Sequence, residues 1–170
     1  MTYRHIAGVD PSVRCTGYCA PDQSTHRITP TAGPDQPGRR LDEIERMLAV
    51  TIKRHPPKPD LVVIEGYSIG SHRSTLLTLG EAGGVMRAAL FRLGCDVMEV
   101  PPASLKRFAT GRGNATKQQM IQAAIDQGVR GSCDDNEADA YHLARMGRIA
   151  HGLEQHQHDY ELDAIANLVW

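Results

Sequence analysis

Residues 60–65, with the sequence DLVVIE, place four consecutive leucine, valine and isoleucine side chains between two acids. A short apolar run without polar alternation is typical of a strand that is buried on both faces of its sheet. Such a strand needs helices above and below it, so this segment favours a layered α/β domain.

The other segments agree with that arrangement. Short strands are predicted at 3–9, 16–20, 25–29, 60–65 and 95–100, and helices at 40–54, 74–93, 104–110, 116–127 and 134–151. A meander of strands followed by strands that alternate with helices predicts a mixed β-sheet flanked by α-helices, in the three-layer α/β/α class.

The length of 170 residues suits one domain with its own core. We expect residues 1–152 to form that domain and residues 153–170, whose histidines follow no metal-site spacing, to be a polar tail. No apolar run approaches the roughly 18–20 residues of a membrane span. The first ten residues lack a secretory core, so we expect a cytoplasmic protein without a membrane partner.

Three acids occupy positions where the surrounding pattern is apolar. Asp10 ends the stretch IAGVD, Glu65 ends the most apolar strand, and Asp139 shares a helical face with Leu143 and Met146. A buried carboxylate costs several kcal/mol unless a cation compensates it. Asp10 could be a turn residue before Pro11, and Glu65 could pair with an arginine, whereas Asp139 has no such ready explanation.

A further acidic cluster precedes Asp139 on the same predicted helix. Asp134 and Glu137 suit the capping of a helix N-terminus. Asp135 lies four residues before Asp139 and Asn136 lies three before it, so either side chain can share its face; we expect Asp135 to be the partner.

Carboxylate oxygens without thiols or histidines select Mg²⁺ or Mn²⁺ rather than zinc. Two such ions stabilise the attacking and leaving oxygens of an in-line phosphoryl displacement. If the strand ends and the helix face converge, the sequence predicts metal-assisted phosphodiester hydrolysis.

The charge distribution is compatible with a nucleic-acid substrate although the net charge is −1. Residues 66–130 carry 8 basic and 4 acidic side chains, and residues 131–170 carry 2 basic and 8 acidic ones. A basic middle beside an acidic end suits phosphate contacts on one face and cations on another. With one Trp, five Tyr and two Phe, a stacking platform for single strands is not expected.

Several motifs together resemble the RuvC family of Holliday junction resolvases. GVDPS at 8–12 with TGY at 16–18 is similar to the first strand pair of that family, and 61–65 to the strand that ends in its second catalytic acid. LGEAGGV at 79–85 is similar to the helix that follows, SLK at 104–106 and ATK at 115–117 to two lysine segments, and NEADA at 136–140 to the terminal acidic block.

The resemblance implies a ribonuclease H-like fold, Mg²⁺-dependent nicking of four-way DNA junctions and a homodimer. It makes Asp10, Glu65 and Asp139 metal ligands of two Mg²⁺ ions, for which Mn²⁺ can substitute. The family has an aspartate where this chain has Asn136, so the fourth ligand is either Asp135 or Asn136.

DNA contacts follow from the same resemblance and from the basic middle segment. Lys106 and Lys117 are carried over as phosphate contacts, with Lys117 also a catalytic candidate near the scissile phosphate. The other candidates at the DNA are Arg73, Arg107, Arg112 and Tyr67, and Tyr67 or Ile69 is a candidate for the residue that wedges the junction open.

Gly80, Gly84 and Ala88 recur every four residues on the 74–93 helix and leave a flat stripe for the sheet or for the same helix of a second subunit. Because a four-way junction has near two-fold symmetry, the expected reaction favours a dimer through this helix. The compact, diverged sequence also suits a bacteriophage protein.

Two alternatives to a junction endonuclease remain open on the sequence. One is a branched-DNA binding protein of the same fold with weak or absent cleavage, and the other is a ribonuclease H that acts on RNA–DNA hybrids. An actin-like ATPase, which shares the G-x-D start, needs a duplicated domain that 170 residues do not supply.

Overall fold

A computed structural model describes residues 2–67, 73–129, 133–166 and 168, with the backbone alone at 73–75. Its centre is a five-stranded sheet in the order β3-β2-β1-β4-β5. The first three strands form an antiparallel meander, and β4 and β5 run parallel to β1. The mixed sheet predicted from the sequence is therefore confirmed.

The elements follow the predicted order with small shifts at their ends. The strands are β1 (Ile6–Asp10), β2 (Thr16–Cys19), β3 (Thr25–Ile28), β4 (Leu61–Glu65) and β5 (Asp96–Val100). The helices are α1 (Pro37–Arg54), α2 (Arg73–Arg92), α3 (Pro102–Thr110), α4 (Lys117–Asp126), α5 (Asp135–Ala150) and α6 (Asp159–Ala166). None of the helices in the described ranges is long and apolar enough to cross a bilayer.

Both faces of the sheet are covered, as the unbroken apolar run of β4 predicts. Val62 and Ile64 point into a core shared with α1 and α2, while Leu61 and Val63 point into a core shared with α3, α5 and α6. All four side chains are at most 3% exposed. The result is the predicted three-layer α/β/α arrangement.

The alternation of the strands determines where their terminal acids point. Along β1, Ile6 faces the α5 side of the sheet and Val9 faces the opposite side. Side chains alternate along a strand, so Asp10 faces the α5 side, and by the same count Glu65 at the end of β4 does too. Because Val9 pairs with Ile64 in a parallel register, the two acids end neighbouring strands at the same edge.

Two glycines allow α5 to lie directly on this part of the sheet. A Cβ atom at Gly8 would come within 2.0 Å of the Ala140 carbonyl oxygen, and one at Gly17 within 1.9 Å of the Asn136 carbonyl oxygen. Only glycine fits beneath the helix at these two positions. The close approach carries Asn136 and Asp139 to the ends of β1 and β4.

We expect Gly8→Ala to lower the free energy of unfolding by about 2–3 kcal/mol, because its methyl group must push α5 away from the sheet. Urea unfolding monitored by circular dichroism measures the change. Gly38→Ala is the matched control, since a Cβ atom there meets nothing within 4 Å; it should be neutral or slightly stabilising. Equal unfolding midpoints for Gly8→Ala and wild type would contradict this close packing.

The C-terminal segment differs from its prediction as a polar tail. Residues 159–166 form α6, whose Ala164 and Ile165 are buried against α3 and α5. Its Glu161 is fully buried and accepts hydrogen bonds from Arg145 Nη1 of α5 at 2.5 Å and Nη2 at 3.3 Å. The prediction failed because a helix of eight residues has too few apolar positions to show a period, and because the ion pair that anchors it joins distant residues.

Candidate active site

The three acids singled out in the sequence meet at one end of the sheet. Asp10 ends β1, Glu65 ends β4, and Asp139 lies in the second turn of α5, which crosses above both strands. Asp10 is only 8% exposed. Each acid interacts electrostatically with at least one of the other two, so the fold brings together residues that are 55 and 74 positions apart.

The pKa values of all three acids are raised, as expected for carboxyl groups that are buried close together. Burial raises the pKa of Asp10 well above its usual range, and the neighbouring Glu65 and Asp139 raise it further. The carboxyl groups of Asp10 and Glu65 also interact with each other, which raises the pKa of Asp10 further; burial raises the pKa of Glu65, and its interaction with Asp10 opposes that rise. Burial, followed by the charges of Glu65 and Asp135, raises the pKa of Asp139 to about 7.

Asp139 also carries an orphaned polar atom. Its Oδ1 is buried and has no hydrogen-bond partner among the described residues. A buried oxygen without a partner is costly, and such atoms concentrate at functional sites that bind an ion or ligand.

Asn136 holds Asp10 from the first turn of α5. In the amide orientation that satisfies its neighbours, its nitrogen donates to the Cys15 carbonyl oxygen at 3.0 Å and to Asp10 Oδ2 at 3.2 Å. Sequence reasoning treated Asn136 as a possible ligand and missed this positioning contact. No signal in the sequence could have found this contact, because it depends on how closely α5, through Asn136 and Ala140, lies against β1 and β2.

Asp135 lies beside the acids and forms an ion pair with Lys117 at the start of α4. That pair lowers the pKa of Asp135 and raises the pKa of Lys117, whose side chain is 81% exposed. Asp134 caps α5 by accepting a hydrogen bond from the Glu137 backbone N–H at 2.9 Å, and Glu137 accepts one from the Asp134 backbone, which confirms the capping prediction.

A cleft of about 250 Å³ opens above Glu65 and Asp139. Lys106 and Lys117 line it, together with Tyr67 and Leu79. Lys106 lowers the pKa of both acids by its charge, against the larger effect of burial. The cleft therefore combines hard oxygen donors at its base with two ammonium groups on its walls.

Tyr67 is held in the cleft wall by a residue that sequence reasoning missed. Arg87 Nη1 donates to the Tyr67 hydroxyl at 2.7 Å, and the Arg87 guanidinium lies 5.2 Å from the centre of the Tyr67 ring. Arg87 Nη2 in turn donates to Glu99 Oε2 at 2.5 Å. The position of Tyr67 after β4 drew attention to it, but nothing in the sequence pointed to its partner on α2.

Two of the remaining DNA-contact candidates, Arg107 and Arg112, do not line the cleft. Arg107 is exposed on α3 beside Lys106, and Arg112 is exposed in the loop between α3 and α4. The Arg73 side chain and Ile69 fall outside the described residues.

The donor set fits a divalent cation, although no three His, Cys, Asp or Glu side chains in the described ranges form a ready-made metal group. The orphaned Asp139 Oδ1 and the raised pKa values of Asp10 and Glu65 are what a cluster of buried carboxylates shows when no ion balances its charge.

Comparisons with known proteins find relatives of one family. A family model for crossover junction endodeoxyribonuclease RuvC matches residues 6–129. RuvC of Paraburkholderia phymatum is 35% identical over 127 residues, which cover 71% of this chain and 69% of that protein. RuvC of Burkholderia thailandensis is 36% identical over 124 residues, covering 68% and 66%.

Solved structures show the same fold. The structure of Thermus thermophilus RuvC superimposes with a TM-score of 0.66 at 21% identity, covering 85% of this chain and 97% of that one. The same organism's RuvC in complex with a Holliday junction substrate gives 0.68 at 20% identity, covering 82% and 90%. The family model ends before α5, so that match does not cover Asp139. The evidence that Asp139 belongs to the site therefore comes from the structure.

The ribonuclease H-like fold that the resemblance implied is thus confirmed. The family model matches most of the length of this chain, and the relatives named above are more than 30% identical to it. The chain belongs to the RuvC family of crossover junction endodeoxyribonucleases.

Proposed function

We propose that this protein is a Mg²⁺-dependent endonuclease that nicks Holliday junctions and related branched DNA in the cytoplasm of a bacterium or an infected host. The observation that carries the proposal is the convergence of Asp10, Glu65 and Asp139 at the base of a lysine-lined cleft. Family membership supports it, and a T. thermophilus relative of the same fold has been solved with a Holliday junction substrate.

Asp10, Glu65 and Asp139 would hold the ions, and Asp135 would supply a further oxygen. The Asn136 amide nitrogen donates to Asp10 and to the Cys15 carbonyl, so we assign that nitrogen to the positioning of Asp10; the Asn136 amide oxygen stays the alternative to Asp135 as the further ligand. Oxygen donors suit Mg²⁺, and Mn²⁺ should substitute. When bound there, the ions would supply Lewis acidity for activating water and would offset the negative charge that develops at the scissile phosphate.

The chain's own side chains bind and orient the DNA strand. Lys106 lies in the cleft wall close enough to lower the pKa values of Glu65 and Asp139, so its ammonium group can contact a phosphate held over the acids. Lys117 would exchange Asp135 for a phosphate oxygen and release that carboxylate to a metal ion. Arg73, Arg107 and Arg112 would contact phosphates farther along, and Tyr67 borders the path at the cleft wall.

The function is tested by incubating the protein with a four-way junction, a linear duplex of the same sequence and an RNA–DNA hybrid, each with Mg²⁺, Mn²⁺ or EDTA. We expect paired nicks near the branch point of the junction with either metal and none in EDTA. Tight junction binding without cleavage in either metal would indicate a binding protein instead. Faster cleavage of the hybrid than of the junction would indicate a ribonuclease H.

We also propose that the protein acts as a homodimer through α2. Gly80 and Gly84 face open space, because a Cβ atom at either position meets nothing within 4 Å. On the same exposed side, Leu77 is 63% and Phe91 is 81% exposed. An apolar stripe interrupted by glycine suits close packing against the same helix of a second copy, and a two-fold pair would present two active sites to a near-symmetric junction.

Phe91→Glu should convert the dimer to a monomer, because two buried charges would oppose each other across the two-fold axis. Sedimentation equilibrium measures the association, and the paired nicks should give way to single nicks. Val50→Glu, at a 43% exposed position on α1, is the matched control and should stay dimeric. An unchanged dimer for Phe91→Glu would exclude α2 as the interface.

A further inference from the structure

A second depression adjoins the acidic cleft. Its volume is about 690 Å³, and its walls come from the loop after β1, the loop before α1 and the N-terminal half of α2. We term it the arginine groove, because Arg14 and Arg40 line it. Leu79 lines both the groove and the acidic cleft, so the two are neighbours.

Neither arginine forms an ion pair within 4.0 Å in the described part of the chain. The neighbouring Arg39, in contrast, pairs with Glu43 at 3.0 Å. Arg14 is exposed, and the half-buried Arg40 donates from Nε to the Ala32 carbonyl oxygen at 3.0 Å. That bond orients the Arg40 side chain but is not an ion pair.

The loop that carries Arg14 is itself fixed. Thr16 Oγ1 donates to the Ser12 carbonyl oxygen at 2.7 Å, and Ser12 Oγ accepts from the Arg14 backbone N–H at 3.2 Å. This loop follows Asp10 directly, and its Pro11 lines the acidic cleft. The position of the Arg14 backbone is therefore coupled to the metal-ligand candidate at the end of β1.

We propose that the arginine groove is a second phosphate-binding subsite, which holds the DNA backbone beyond the cleft through Arg14 and Arg40. The proposal rests on the proposed endonuclease function. Two guanidinium groups without an ion pair in one groove favour an anion with several oxygens, and because the groove adjoins the acidic cleft at Leu79, the phosphodiester chain held in the cleft is the anion within reach. Lys106 and Lys117 then contact phosphates in the cleft, and the two arginines contact phosphates past Leu79.

The test is the salt dependence of junction binding, measured by fluorescence anisotropy in EDTA so that no cleavage occurs. The slope of log K against log salt is negative, and each lost phosphate contact should reduce its magnitude by about 1. We expect this change for Arg14→Ala and for Arg40→Met, and about twice the change for the double variant. Arg14→Lys and Arg40→Lys keep the charge and should keep most of the slope.

Arg54→Ala is the matched control, since Arg54 is an exposed arginine that lines a different depression at the far end of α1. It should leave the slope unchanged. If the wild type binds and nicks junctions but Arg14→Ala and Arg40→Met retain its slope, the subsite is excluded while the proposed function stands. If the wild type neither binds nor nicks junctions, the proposed function fails, and the subsite fails with it.

Discussion

Replacing Asp139 by Asn is expected to lower metal-dependent junction cleavage at least about 1,000-fold, because the loss of a direct ligand should exceed the roughly 10–100-fold cost of losing a supporting contact. The substitution keeps the size of the side chain but removes the charge that holds the ion. Single-turnover cleavage of a labelled junction measures the rate, and anisotropy in EDTA should show that binding of the junction is retained.

The same substitution should not destabilise the protein. The pKa of Asp139 is raised to about 7 in the fold, so the folded state favours the protonated, neutral form. The stability contributed by that form is complete below the unfolded pKa, near 3.8, and is lost as the pH rises through about 7. In EDTA, the melting temperature of Asp139→Asn should therefore match or exceed wild type at pH 8, and the difference should shrink toward pH 4.

Asp126→Asn serves as the control, because Asp126 is an exposed helical aspartate that only accepts a hydrogen bond from Gln122. It should cleave at the wild-type rate. If Asp139→Asn retained more than about a tenth of wild-type cleavage, Asp139 would not be a metal ligand, since even outer-shell losses cost that much.

The second large effect is expected at the ion pair that anchors α6. Arg145→Met should lower the free energy of unfolding by about 3–5 kcal/mol, because it leaves the Glu161 carboxylate buried without its cation. Both side chains are fully buried, and the Arg145 guanidinium also lies 5.5 Å from the centre of the Phe108 ring on α3. Urea unfolding measures the loss.

A double variant separates the effect of the unpaired charge from the effect of the lost side-chain packing. Arg145→Met combined with Glu161→Leu removes both buried charges and should recover most of the lost stability. The exposed i,i+4 pair between Arg46 and Asp42 is the reference, and Arg46→Met should cost less than about 1 kcal/mol. A cost below 1 kcal/mol for Arg145→Met as well would show that α6 is not held by this pair.

The sequence predicted the layers because one apolar strand demands cover on both faces. No polar residue alternates with Val62 and Ile64 in this strand, so neither face of the strand suits solvent. The structure buries both side chains as expected. The helix cap at Asp134 was equally predictable from the sequence, since a capping box is a local pattern of four residues.

The acids of the site were predictable because each one broke a local pattern. Asp10, Glu65 and Asp139 lie at positions where burial is expected from their neighbours, and a buried carboxylate calls for a cation. The partners of these acids were not predictable. Asn136 reaches Asp10 only because Gly17 lets α5 approach the sheet, a contact between elements more than 100 residues apart.

The same limit applies to Arg87 and to Glu161. Arg87 holds Tyr67 across 20 residues of chain, and Glu161 holds Arg145 from a helix too short to show an apolar period. Such contacts depend on tertiary packing and produce no recognisable spacing of residue types in the sequence.

The central claim is that Asp10, Glu65 and Asp139 together hold divalent cations. The most direct measurement is a crystal structure of the protein soaked with Mn²⁺, with the ions located by their anomalous scattering. The account predicts Mn²⁺ at the base of the cleft, with oxygens of all three acids among its ligands and Asn136 still bound to Asp10. A cleft without bound Mn²⁺, or Mn²⁺ bound only at places away from Asp10, Glu65 and Asp139, would contradict it.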